Sequence, residues 1–344
     1  MKKTVTLFLI CLFLAASSLT FANREMVDVQ KYKQEGPYTV GYDIYFVGNT
    51  WSMQLYWEFL QAVKDNEELI EEVYYTESEG NAAKQVANIR DLIAKDVDIL
   101  IVTPNSPSAV VPVLQRAVEK GIVVVLCGAK AASNDYTVYV DTDAFEFGKV
   151  GAEWLVQKMG TEGKIIALSG IAGLSTTEER WAGAKSVFDN YPGIEVVAHV
   201  YAEWAYDKAK IAAQNVLPSN PDIDGIWSGG GAMTQAFAEV MIDYGMPLVP
   251  MTGEDNNGFL KLWKKNLDKG FDSIATSKPT WLSAEALKAG LNVMQGIETP
   301  VNILIPVPTI VSAQLDEYVR EDLPDSYWCN SRLDEELIKQ MFQR

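Results

Sequence analysis

The side chains best suited to bind something stand where apolar, β-branched runs end. Immediately after such runs come Asn49-Thr50-Trp51, Thr103-Pro104-Asn105, Cys127-Gly128-Ala129-Lys130, Asp141-Thr142-Asp143 and Gly170-Ile171-Ala172-Gly173. Trp204, Gly229-Gly230-Gly231, Gly253-Glu254-Asp255-Asn256-Asn257 and Ser277-Lys278-Pro279 follow later runs, and Arg180 lies on the helical pattern after Gly173. The set is rich in Trp, Asn, Asp and Arg. Flat indole faces stack on the C–H faces of a saturated ring, while carboxylates, amides and a guanidinium make paired hydrogen bonds to neighbouring hydroxyls. These types suit recognition of a polyhydroxylated small molecule better than they suit breaking a bond.

The same positions are poor in pairs of nucleophile and base. The single histidine, His199, falls in the strand-like run Ile194–Tyr201 and reads as structural. Two carboxylates, such as Glu254 with Asp255 or Asp143, could be the acid and base of a glycosidase. That chemistry needs carboxylates roughly 5 Å or more apart across the scissile bond, which adjacent residues on one loop do not readily provide. Cys127 and Cys329 with one histidine cannot build a Cys/His metal site, and no cofactor is expected. The glycine runs at 170–173 and 229–231 sit between strand and helix, as phosphate-binding turns do. Neither fits G-x-G-x-x-G and no Walker Lys-Ser/Thr follows, so both read as tight turns. Trp57 and Trp154 fall inside helical patterns and read as core; Trp51, Trp204 and Trp281 follow strands and are the candidates to face a cleft.

The elements that must position these residues alternate regularly. Thr39–Val47, Glu71–Tyr75, Asp98–Thr103 and Ile122–Leu126 read as strands. Ala82, Val86, Ile89 and Ile93 mark one helical face between them. Val110, Val111, Leu114, Ala117 and Val118 mark another, with Ser106 as its N-cap and Pro107 at its first position. The alternation resumes with strands Lys164–Ser169, Ile194–Ala202, Gly225–Ser228, Leu248–Thr252, Ser273–Thr276 and Val301–Ile305. Helices begin near Thr176, Tyr206, Ala232 and Asn257, and one runs from Pro279 to Met294. A βαβ series of this length implies two doubly wound α/β lobes, each with a parallel sheet, whose ligands bind beyond the carboxyl ends of the strands. From Asp316 the tail is aromatic and acidic and ends in an amphipathic stretch with Leu333, Leu337, Ile338 and Met341.

The chain has 344 residues, 48% of them hydrophobic and 22% charged, with a formal charge of −17. This length exceeds one ordinary core. The acidity argues against nucleic acid or anionic lipid as a partner. Lys2 and Lys3, an apolar run from Val5 to Ala16 and Thr20-Phe21-Ala22 have the three-part layout of a secretory signal peptide over residues 1–22. The run is too short to span a bilayer, which takes about 20 apolar residues. The expectation is export through a cleaved leader, a periplasmic location, and no direct membrane insertion. Cys127 and Cys329 could pair in an oxidising compartment, but a buried Cys127 ending a strand and a separate Cys329 is the preferred reading.

In these residues the chain resembles the periplasmic sugar-binding proteins of ABC importers, the type I cluster that includes ribose- and galactose-binding proteins. The marks are Gly48-Asn49-Thr50-Trp51, Gly170-Ile171-Ala172-Gly173 with Glu179-Arg180, and Pro221-Asp222-Ile223-Asp224-Gly225-Ile226-Trp227-Ser228. Gly253-Glu254-Asp255-Asn256-Asn257-Gly258 and Pro324-Asp325-Ser326-Tyr327-Trp328 complete them. Each is weak alone; their order and spacing carry the match over nearly the whole chain after residue 22.

The resemblance implies a monomer of two lobes joined by a three-crossing hinge: residues 23–142 with 278–305, and 143–277 with 306–344 including the tail. It implies a monosaccharide or polyol held between them, with Tyr45, Asn49 and a stacking Trp51 on one side and Arg180, Trp204 and Asp255 on the other. Ser277 falls at a hinge crossing. It also implies a membrane ABC permease as partner and no enzymatic activity; a sugar sensor feeding a chemoreceptor is the other role open to such a binder. A repressor core of this fold is excluded by the leader and by the absence of a basic helix-turn-helix. Two departures bear on the ligand. Cys127-Gly128 stands where many relatives carry a carboxylate, leaving Lys130 or Asp143 to compensate, and Gly230 stands where relatives often have Asn or Asp.

Overall fold

The computed structural model describes residues 25–342, so the expected leader at 1–22 lies outside the described residues. The first half builds β1 (Tyr38–Ile44), α1 (Thr50–Asp65), β2 (Ile70–Glu77), α2 (Ala82–Ala94), β3 (Ile99–Thr103), α3 (Val111–Glu119), β4 (Val123–Cys127) and β5 (Val138–Thr142). Then follow α4 (Ala144–Met159), β6 (Glu162–Ser169), α5 (Ser175–Phe188), β7 (Gly193–Tyr201), α6 (Tyr206–Val216) and β8 (Gly225–Ser228). The rest comprises α7 (Gly231–Asp243), β9 (Met251–Glu254), α8 (Asn257–Asn266), β10 (Ser273–Thr276), α9 (Leu282–Gln295), β11 (Asn302–Ile305), β12 (Thr309–Val311), α10 (Leu315–Tyr318) and α11 (Glu335–Phe342).

These strands form two six-stranded sheets, in the orders β11-β5-β4-β3-β1-β2 and β12-β10-β9-β8-β6-β7. The two orders are the same doubly wound pattern, and each reverses direction once: between β1 and β3 in the first sheet and between β6 and β8 in the second. The central strands β3 and β4 are unbroken apolar runs buried along their whole length, as expected of parallel strands covered on both faces. The first sheet is parallel throughout. The second departs from the parallel expectation at one edge, where β12 pairs antiparallel to β10. The four residues from Ile305 to Pro308 reverse no helix-length crossover; they simply bring the chain from one sheet's edge to the other's.

The chain passes between the sheets after Thr142, after Thr276 and after Ile305. Separate apolar clusters pack on both faces of each sheet, around Phe59 and Leu114 in one lobe and around Phe237 and Leu155 in the other. The helix after β3 begins at Val111 and not at Pro107. In a helix running from Pro107, Pro112 would offer no N–H to the carbonyl four residues back and its ring would clash there; in the first turn it is harmless. Ser106 still closes the preceding turn, its Oγ accepting from the Ala109 N–H at 3.4 Å. Among the described residues, no helix is long and apolar enough to cross a membrane.

The tail does not stay with one lobe. Residues 319–330 lie on the loops before α8: Asn257 Oδ1 accepts from the Arg320 N–H, and its side-chain amide donates to the Arg320, Leu323 and Pro324 carbonyls. Trp328 then bridges to α1, and α11 packs Leu337, Ile338 and Met341 against Trp57 in the first lobe. Trp57 is therefore buried beneath the tail and not inside its own lobe.

Candidate functional site

A cavity of about 130 Å³ opens between the lobes, at the carboxyl ends of the strands that flank both points of reversal. Its first-lobe wall begins just past β1. Asn49 caps α1, its Oδ1 accepting from the Ser52 N–H at 2.8 Å, and its amide donates to Tyr45 Oη at 3.3 Å. Tyr45 also hydrogen-bonds Ser52 Oγ at 3.0 Å, so cap and phenol are held as one unit. Trp51 donates its indole N–H to the Lys278 carbonyl at 2.7 Å, which fixes the ring in the cavity wall. Thr103, Pro104 and Asn105 extend the wall from the end of β3, and Gly128 and Ala129 from the end of β4.

The second-lobe wall is built on Gly229. Its carbonyl accepts from Arg180 Nη1 at 2.7 Å and from Trp204 Nε1 at 3.0 Å. Arg180 also pairs with Glu254 at 3.0 Å, both side chains about 5% exposed, and its guanidinium lies 3.6 Å from the centre of the Phe147 ring. Burial raises the Glu254 carboxyl to about 7, opposed by Arg180 and reinforced by neighbouring Asp255. The Arg180 Nε–H is buried and has no hydrogen-bond partner. Trp204 sits over two glycines: a Cβ on Gly170 would come within 2.1 Å of its ring, and one on Gly230 within 2.7 Å. The glycine runs are thus not only turns. Gly173 takes a left-handed φ of 78°, but Gly170 and Gly230 are glycine because the indole needs their space.

Of the predicted site residues, the structure brings Tyr45, Asn49, Trp51, Arg180 and Trp204 together around the cavity. It does not bring the others there. Cys127 is wholly buried in the first-lobe core, where burial pushes its thiol up to about 12. Lys130 is half exposed and pairs with Glu179 of the other lobe at 3.5 Å, outside the lining. Asp143 spends its carboxylate capping α4, accepting from the Glu146 N–H at 3.0 Å. Gly230 lies beneath Trp204 and offers no side chain.

Asp255 and Ser277 meet the tail: the Asn330 N–H donates to Asp255 Oδ2 at 2.8 Å, and its side-chain amide donates to Ser277 Oγ at 3.1 Å. Burial pushes the Asp255 carboxyl up to about 6, held down mainly by that Asn330 N–H. Trp281 also faces the tail, donating to Asn330 Oδ1 at 3.2 Å under the Arg332 guanidinium. His199 lies tilted against Trp181, stacks on Tyr201 and is bonded to Ser169; Cys127 and Cys329 are free.

Glu254 and Lys278 stand in the segments named after the strands but were not singled out as ligand contacts, and Trp328 entered only as a mark of the family resemblance; all three line the cavity. Lys278 answers the departure at Cys127-Gly128. Its ammonium donates to the Gly128 carbonyl at 2.6 Å and pairs with Asp141 at 2.8 Å, both side chains nearly buried. Lys130 and Asp143 lie outside the lining, and the group present beside Gly128 is the ammonium of Lys278. Glu254 carried a signal, being the last residue of a buried strand; Trp328 carried none that placed it at the cavity, because it follows no strand and lies far along the chain from the other lining residues.

Residues 40–298 match the family described as periplasmic binding protein domain. The ribose import binding protein of Bacillus subtilis is 24% identical over 235 residues, covering 68% of this chain and 75% of that protein. A xylitol-binding protein of Mycolicibacterium smegmatis is 26% identical over 252 residues, covering 71% and 70%. Among solved structures, an ABC transporter periplasmic solute binding protein from Actinobacillus succinogenes with bound D-allose superimposes with a TM-score of 0.72 at 23% identity. That match covers 81% of this chain and 99% of the other.

Proposed function

The chain belongs to the periplasmic binding protein domain family, and on that footing we propose that it captures an uncharged monosaccharide or polyol between its lobes and delivers it to an ABC permease. One observation carries the ligand class: the cavity's lining is mostly apolar, and the charged groups that border it cancel within the protein. Arg180 is paired with Glu254 and Lys278 with Asp141. A charged ligand would have to displace a buried partner, whereas hydroxyls can share donors and acceptors already in place. The unpartnered Arg180 Nε–H is a donor that a hydroxyl oxygen would satisfy, offsetting the cost of leaving it buried. Trp51 and Trp204, from opposite lobes, supply faces for the apolar side of a ring. The B. subtilis and M. smegmatis relatives, named for ribose import and for xylitol binding, support the same class.

The mechanism is capture by closure. A ligand that touches both walls binds the closed arrangement better than the open one, and this difference drives the lobes together. The crossings after Thr142, Thr276 and Ile305 would absorb the rotation. The Lys130–Glu179 pair joins the lobes at the surface and adds at most about 1 kcal/mol. No reaction is part of this reading: Glu254 is the one carboxylate lining the cavity among the described residues, and it is already engaged. Residues 1–22 would export the chain to the periplasm, where the permease is reached.

A thermal-shift screen of the chain without residues 1–22 tests the proposal against neutral pentoses, hexoses and polyols, with sugar acids and amino acids as contrasts. A neutral carbohydrate at a hundredfold excess over its Kd should stabilise the fold by about 2.7 kcal/mol. Response only to an acid or an amino acid would retire the carbohydrate reading and keep the fold.

A further inference from the structure

The tail crosses from the second lobe to the first at the cavity itself. The Trp328 N–H donates to Gln54 Oε1 at 2.9 Å, the Gln54 amide returns a bond to the Trp328 carbonyl at 2.9 Å, and Trp328 Nε1 donates to Thr50 Oγ1 at 3.0 Å. On its other side Trp328 forms a bridge with Asn256. Its backbone is thereby held from both lobes and its indole from Thr50; the residue is 6% exposed and lines the ligand cavity. A second cavity, of about 210 Å³, lies on the other side of Thr50. It is bounded by Asn49, Thr50 and Met53 from the first lobe and by Ser326, Met341 and Phe342 from the tail. The two cavities share Asn49 and Thr50, and the Trp328 indole is hydrogen-bonded to Thr50 at that shared edge.

We propose that Trp328 is a specificity residue: the tail inserts its indole as a partition that confines the ligand chamber to a single sugar ring. The inference rests on the carbohydrate reading above and deepens it. With the indole removed, the chamber gains room at its Thr50 edge, on the side where the second cavity lies, for part of a second ring. A single ring loses one of the surfaces that desolvate it. Truncation therefore changes the ratio of affinities, not only their level, because the two ligand sizes respond in opposite directions.

The test is isothermal titration of Trp328→Leu and Trp328→Phe, with neutral monosaccharides and the disaccharides built from them. Trp328→Phe keeps most of the volume and guards against loss of the fold. Leu337→Ser, on the tail helix and away from the cavity, loosens the tail without altering the partition. Trp328→Leu should lower monosaccharide affinity at least tenfold and raise the disaccharide-to-monosaccharide affinity ratio at least tenfold. Trp328→Phe should fall between it and wild type, and Leu337→Ser should keep the wild-type ratio. If wild type binds the monosaccharide and Trp328→Leu leaves the ratio within threefold, the partition is wrong even where both affinities drop. An equal change of ratio in Leu337→Ser would overturn it too, assigning the effect to tail packing. Wild type silent to every neutral monosaccharide would instead remove the carbohydrate reading on which the partition rests.

Discussion

Replacing Arg180 by methionine should separate what that residue does for the fold from what it does for the ligand. The side chain is about 5% exposed, pairs with Glu254 at 3.0 Å, donates to Gly229 at 2.7 Å and lies 3.6 Å from the Phe147 ring centre. Breaking a buried pair from one side costs about 3–5 kcal/mol when the other charge is stranded. Glu254, however, already titrates near 7 and can take up a proton instead of remaining ionised. The loss should therefore be about 3 kcal/mol at pH 8 and distinctly smaller at pH 5, where the carboxyl is neutral in either protein. Urea unfolding at the two pH values measures it. Adding Glu254→Gln removes the stranded acid, so the double variant should recover most of the stability at pH 8. Ligand affinity should not recover. One charge-assisted hydrogen bond is worth about 1.5–3 kcal/mol, so both variants should bind the wild-type sugar roughly tenfold to a few hundredfold more weakly. Wild-type affinity in Arg180→Met would refute the assignment of Arg180 to the site. A stability loss equal in the single and double variants would refute the account of the pair.

Buried Glu254 and Asp255 make a pH prediction of definite sign. Both are raised, to about 7 and about 6, so the folded state holds protons that the unfolded state has released, and stability should fall as pH rises from about 4 to 7. Glu254→Gln should flatten the upper part of that slope in thermal melts, and an unchanged slope would count against the burial argument. Gly170→Ala places a Cβ within 2.1 Å of Trp204 and should cost at least tenfold in affinity, with a shift in tryptophan emission. Wild-type binding there would mean that Trp204 is free to move without consequence. Lys278→Met strands Asp141 beside Gly128 and should destabilise by about 3 kcal/mol, largely restored by adding Asp141→Asn. Lys130→Ala, by contrast, should change stability by no more than about 1 kcal/mol, and even less at high salt.

The layers of this fold were legible because parallel, doubly covered strands leave an unmistakable trace. Ile99–Thr103 and Val123–Cys127 are continuous apolar runs, and the helices between them carry one apolar face each. The three-residue β12 left no such trace, being too short to show a period, and its antiparallel pairing depends on β10 being there to receive it. At the site, position was legible and direction was not. The residues after each strand could be named in advance, but a loop side chain points toward whichever segment binds it. Asp255 turns to the N–H of Asn330, 75 residues further on, and so leaves the cavity to Glu254. Gly230 could be read as part of a tight turn and as a missing polar group, but not as space for an indole, until Trp204 was seen resting on it.

The tail also alters how closure should be understood. A hinge of three short crossings lets two lobes rotate with little resistance beyond the strain in those crossings. Here Glu58 on α1 accepts from Ser331 Oγ at 2.7 Å and from the Arg332 N–H at 3.0 Å, while two residues earlier the Cys329 N–H donates to the Asp255 carbonyl at 2.9 Å. A segment tied to both lobes over so few residues cannot stretch far, since each residue spans at most about 3.6 Å. Opening must therefore either pivot about the tail or break one of its anchors. Glu58 is the anchor to test. It is wholly buried, burial raises its carboxyl, and the tail's donors pull it back down. Glu58→Gln keeps the size but weakens the grip on Ser331 and Arg332. If the tail restrains opening, this variant should release ligand faster in stopped-flow fluorescence, by several-fold, with a smaller change in the association rate. Unchanged dissociation would show that the lobes open by pivoting about an intact tail.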